Sequence, residues 1–138
     1  MVFKLQGSVQ ATFNNNTTRT WNVARKLTYT GIYPGNLMLS IEGYGSAAGY
    51  NNLVTWGVNR HGENFYTQIN QAVVLKQQCG WDPISGVKVH QIPADGKSAT
   101  ITFGYDNNNL PITNGACPDK FKVDWVKGNN SGTVFINL

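Results

Sequence analysis

Asp124, Asn129 and Asn130 are the residues whose types and spacing point most directly to chemistry. The carboxylate stands four residues before a turn, Gly128-Asn129-Asn130-Ser131-Gly132, that opens an alternating run to Leu138. Carboxylate, amide and backbone oxygens on a tight loop form the donor set of a hard cation such as calcium. The same groups hydrogen-bond a sugar hydroxyl. A second cluster lies mid-chain, where Trp56-Gly57-Val58 runs into Asn59-Arg60-His61-Gly62-Glu63-Asn64. An aromatic ring beside Trp56's neighbours His61, Glu63 and Asn64 suits a sugar. An ordinary hairpin with a wet polar tip has the same composition.

Catalytic signatures are absent. The seven carboxylates are Glu42, Glu63, Asp82, Asp95, Asp106, Asp119 and Asp124. A glycosidase needs two of them facing one another, and no spacing pairs any. His61 and His90 lack metal-ligand spacing, and no serine sits in a nucleophile elbow. The expectation is a binding protein and not an enzyme.

Composition narrows the partner. Hydrophobic content is 41% against 13% charged, which excludes a disordered chain. Seventeen asparagines and sixteen aromatics suit a surface that hydrogen-bonds neutral polar ligands and stacks rings on them, although Asn and Gly also serve the turns of any loop-rich β fold. The net charge is +4, but its basic residues are thinly spread, without the run or stripe of a nucleic-acid binder. No apolar stretch reaches the length of a membrane span, so neither nucleic acid nor membrane insertion is expected. Met1–Leu5 alternates and does not read as a signal peptide. The expected location is extracellular or at the cell surface, with cytoplasmic storage as the alternative. A disulfide between Cys79 and Cys117 fits the first, and two unrelated thiols fit the sequence equally well.

These residues must be positioned by strands. Period-two alternation recurs in Phe3–Phe13, Leu37–Ile41, Val54–Val58, Ala99–Tyr105, Phe121–Trp125 and Val134–Leu138. Trp21–Thr30, Phe65–Ile69, Ala72–Lys76 and Val87–Gln91 are further candidates. Turn signals separate them, and Asp95-Gly96 reads as a tight hairpin. Some ten short strands in one domain, 1–138, predict an all-β fold: a β-sandwich or jelly roll of antiparallel strands.

The C-terminal Gly128-Asn129-Asn130-Ser131-Gly132-Thr133-Val134-Phe135-Ile136-Asn137 resembles the closing motif of soluble bacterial galactophilic lectins of the LecA type. The middle segment, a Gly-aromatic strand end followed by Trp-Gly, charges and a His, is similar as well. That resemblance implies a calcium ion that coordinates galactose hydroxyls directly. It places Asn129 and Asn130 as amide ligands, Asp124 as the acidic ligand and Tyr44 as the donor of a backbone carbonyl. His61, with Glu63 or Asn64, would contact the sugar's outer hydroxyl. The expected function is therefore a galactose-type, cell-adhesion lectin acting as a homo-oligomer for avidity. The competing expectation is the receptor-binding head of a phage tail fibre-like attachment protein.

Overall fold

The computed structural model describes residues 1–138. Its strands are β1 (Val2–Thr12), β2 (Thr18–Thr30), β3 (Met38–Gly43), β4 (Gly45–Ala47), β5 (Tyr50–Val58), β6 (Asn64–Lys76), β7 (Asp82–Ile92), β8 (Lys97–Tyr105), β9 (Lys120–Lys127) and β10 (Asn130–Asn137). The antiparallel all-β expectation holds. All ten strands are hydrogen-bonded into one continuous sheet, so the two separate layers expected of a sandwich are not seen.

The order is a meander with one exception. From one edge to the other it reads β1, β2, then β3 and β5 end to end, then β6, β7, β8, β9 and β10. β3 pairs with the second half of β2 and β5 with its first half, and both pair with β6 on the far side. Where β3 leaves this shared column and β5 enters it, the backbones cross at Gly43. A Cβ there would stand 2.3 Å from the Asn52 carbonyl oxygen, so the crossing tolerates only glycine. The excursion between them is the β4–β5 hairpin.

Directly opposed residues share a face of a sheet, so the register sorts every side chain. One face carries Phe3, Leu5 and Val9 of β1, Trp21, Val23 and Leu27 of β2, and Leu39 and Ile41 of β3. It continues through Phe65, Val73 and Leu75 of β6, Ile101 and Phe103 of β8, Phe121, Val123 and Trp125 of β9, and Val134 and Ile136 of β10. This is the inner face. The outer face carries Ser8, Gln10, Thr20, Asn22, Thr28, Thr100, Thr102 and Asp124, which water can solvate. The buried centre is small: Val54, Ile69 and Val73, flanked by Ile41, Leu75 and Phe103.

The two ends of the sheet differ. At one end Cys79, in the turn between β6 and β7, is disulfide-bonded to Cys117 in the loop between β8 and β9. Gln77 reinforces that end by accepting hydrogen bonds from the Gly35 and Leu37 backbone amides. The other end gathers the turns that follow β1, β5, β7 and β9.

Candidate functional site

The end without the disulfide is where the polar residues converge. Asn59 organises the turn between β5 and β6. Its Oδ1 accepts hydrogen bonds from the His61 and Glu63 backbone amides, at 2.9 and 3.1 Å, and its Nδ2 donates to Glu63 Oε1 at 3.1 Å. A side-chain amide that closes the backbone two and four residues on is an Asx-type turn. It fixes His61 with its ring exposed and Glu63 half-buried.

Adjacent turns are joined to this one. A side-chain hydrogen bond with Glu63 is the main cause that holds the Asp95 carboxyl below the usual carboxylate range, with Lys97 next. Lys97 Nζ lies 3.1 Å from Asp95 Oδ2. The Gly128 amide then donates to the Gly96 carbonyl at 3.1 Å, which docks the β9–β10 turn onto the β7–β8 turn. His61, Glu63, Asp95, Asn129 and Asn130 therefore share one rim, although they are far apart in sequence.

Below this rim, on the inner face, lies a cavity of about 280 Å³. Trp125, Ala99, Ile92, His90, Lys97 and Lys127 line it. Trp125 lies against Gly132 of β10, where a Cβ would come within 2.8 Å of the ring. Lys97 and Lys127 are direct cross-strand partners. Like charges so placed repel, and Asp95 bridges Lys97 alone. His90 accepts or donates one hydrogen bond, Nδ1 to Thr67 Oγ1 at 2.7 Å. Burial, then Lys88, then Arg19 push its pKa below the ordinary value.

Charge is segregated between the faces. Arg19, Arg25, Lys88, Lys97 and Lys127 all occupy inner-face positions. No carboxylate does: Glu42 and Asp124 are on the outer face, and the others sit in turns or at strand ends. Arg19 packs its guanidinium over the rings of Trp21 and Phe65, 4.8 and 5.5 Å from their centroids. Arg25 and Lys88 both line a second cavity of about 190 Å³, together with Val54 and Phe103. Desolvation first, and Arg25 second, depress the pKa of Lys88.

The residues read from the sequence are divided by this geometry. His61, Glu63, Asn129 and Asn130 come together at the rim. Asn64 begins β6 just beside it, on the outer face opposite Val58. Trp56 also points outward, paired with Asn22 and Tyr66 and tucked beneath Gly45 of β4, so its ring is not part of the rim. Asp124 is on the outer face of β9, opposite Thr133, three register steps from the Lys127–Asn130 pair. Its carboxylate accepts the Thr133 hydroxyl at 2.5 Å and pairs with Lys122 at 3.4 Å. The Thr133 hydrogen bond, then Lys122, hold its pKa below the usual range. Tyr44 is bonded to β2 through its amide and the Ala24 carbonyl. Strands β5, β6, β7 and β8 stand between it and β9. The calcium donor set of Tyr44, Asp124, Asn129 and Asn130 is thus not brought together. Asn59, His90, Lys97 and Trp125 were not singled out by the sequence; an Asx turn at Asn59 was the one signal available.

Compared with family models, curated proteins and solved structures, the chain matches none.

Proposed function

We propose that the protein is a non-catalytic carbohydrate-binding module whose site is the rim of turns and the Trp125 cavity beneath it, and that its ligands are sugars bearing a carboxylate or sulfate. The observation that carries this reading is that cross-strand partners Lys97 and Lys127 line one cavity with Trp125, on a face devoid of carboxylates. An indole offers a flat apolar surface to the C–H face of a sugar ring. Asp95 already pairs with Lys97, so the Lys127 ammonium is the charge that an acidic substituent would neutralise. The amides of Asn129 and Asn130, the His61 ring and the Glu63–Asp95 carboxyls then surround the ring hydroxyls with donors and acceptors. The volume suits one sugar residue, so affinity per site would be modest and gained through several copies.

The Asn-Asn-Ser-Gly turn still favours the lectin class suggested by the galactophilic resemblance, but through direct contacts by the turn and not through an assembled calcium site. The same surface would serve the receptor-binding head of an attachment protein.

A glycan array with neutral galactosides and acidic glycans side by side, run with calcium and with a chelator, tests the reading. Binding to acidic glycans that survives chelation and is lost in Trp125→Ala supports it. Binding confined to neutral galactosides and abolished by the chelator would replace it with the calcium lectin. Binding to no glycan would sink both.

A further inference from the structure

We propose that copies of this chain join edge to edge, β10 of one against β1 of the next, in a closed ring. The observation is that both outer strands of the sheet are open and apolar. β1 bonds only to β2, and β10 only to β9. On the inner face of β1, Phe3 is 49% exposed, Leu5 55% and Val9 42%; on β10, Val134 is 44% and Ile136 43%. Leu138, just past the strand, is 46% exposed.

Protein sheets that stay single protect such edges with proline, inward-pointing charge or a covering loop. β1 contains no proline, and its one lysine, Lys4, is on the outer face. β10, Asn-Ser-Gly-Thr-Val-Phe-Ile-Asn, has neither proline nor charge. The unpaired N–H and C=O groups of both strands thus flank side chains that gain by leaving water.

The geometry selects the pairing. In this sheet β1 runs toward the rim of turns and β10 runs away from it, so the two are antiparallel. Followed from pair to pair across the sheet, the register puts Gly7 level with Gly132, so Phe3 lies at the level of Ile136 and Leu5 at that of Val134, with these apolar chains on one face. A shift of one residue would turn either set to water, so the register is specified. Pairing β1 with β1 would leave β10 open, whereas a head-to-tail contact uses both edges of every copy and closes into a ring when the rotation between neighbours permits.

The exposed area agrees. The chain presents 8325 Å², whereas a folded monomer of its mass is expected to expose about 7,100 Å². The excess, about 1,200 Å², is larger than the roughly 800 Å² that each partner contributes to a standard stable interface. This inference does not depend on the sugar-binding reading: Asn130 belongs to both the rim and β10, but the apolar edge residues Phe3, Leu5, Val134 and Ile136 line no part of the Trp125 cavity.

Sedimentation equilibrium on the wild-type chain, together with amide exchange, tests it. The expected result is a multiple of 15.2 kDa, with slow exchange at those β1 and β10 amides that do not bond to β2 or β9. Leu5→Lys and Ile136→Lys each place a charge at an already exposed position, and each alone should give a monomer with unchanged far-UV circular dichroism. Mixing the two variants leaves one intact β10–β1 junction and should give a dimer and nothing larger. A wild-type monomer, freely exchanging outer amides, or an Ile136→Lys variant that still dimerises with itself would overturn the proposal.

Discussion

The Cys79–Cys117 bridge should stabilise the fold without touching the binding end, and the size of the effect can be worked out. The two cysteines are 38 residues apart. Closing a loop of that length removes chain entropy from the unfolded state worth about 4 kcal/mol at 25 °C. A chain of 138 residues loses order on melting at about 2.1 cal/mol/K per residue, so 4 kcal/mol corresponds to a fall of about 14 °C in Tm. Cys79 is buried, so replacement would add a packing defect. The cleaner perturbation is reduction of the native protein followed by alkylation-free calorimetry under reductant. At temperatures well below the lowered Tm, affinity for the acidic glycan should be unchanged, because the bridge ties the turns at the opposite end. An unchanged Tm would refute the loop-entropy argument. Lost binding in a reduced but still folded protein would refute the separation of the two ends.

Four further outcomes follow from the site and its charges. Trp125→Ala should lower glycan affinity about tenfold or more by titration calorimetry, while Trp56→Ala, on the outer face, should leave it unchanged. Raising salt should weaken binding steadily, since Lys127 acts through a screened field; a salt-independent constant would remove the charge argument. His90 has a folded pKa below its ordinary 6.5, so the unfolded chain binds the extra proton first. Stability should therefore fall as pH drops through about 6.5, and His90→Gln should flatten that step in a pH series of denaturant melts. Asp124 is depressed by Thr133 and then Lys122; its contribution is present above the unfolded carboxylate pKa and fades as pH falls below about 4, a fade that Asp124→Asn should abolish.

Much of the fold was legible because alternation is a local property. Leu37–Ile41, Ala99–Tyr105 and Phe121–Trp125 announce their faces through a period of two, and Asp95-Gly96 does mark the turn between β7 and β8. The runs Phe65–Ile69 and Ala72–Lys76 read as two strands, yet they are one. The polar Asn70-Gln71 between them sits where the pairing with β7 shifts register, and a bulge bends a strand without ending it. β4 has only three residues, too few to show a period. The site was less legible for a different reason. The docking of Gly128 on Gly96 depends on which strands are neighbours, and no spacing encodes that. Lys97, Lys127 and Trp125 each look like ordinary strand residues until the register puts them together.

The crossing at Gly43 leaves the β4–β5 hairpin outside the shared column, closed at its tip by Ala48 and Gly49, both with positive φ. Its tip, Ala48-Gly49, is exposed, while the paired part of β5 begins further on, at Leu53 and Thr55. The hairpin is thus a natural graft point: a foreign peptide spliced between Ala48 and Gly49 would be displayed on the outer face with the sheet's hydrogen bonding intact.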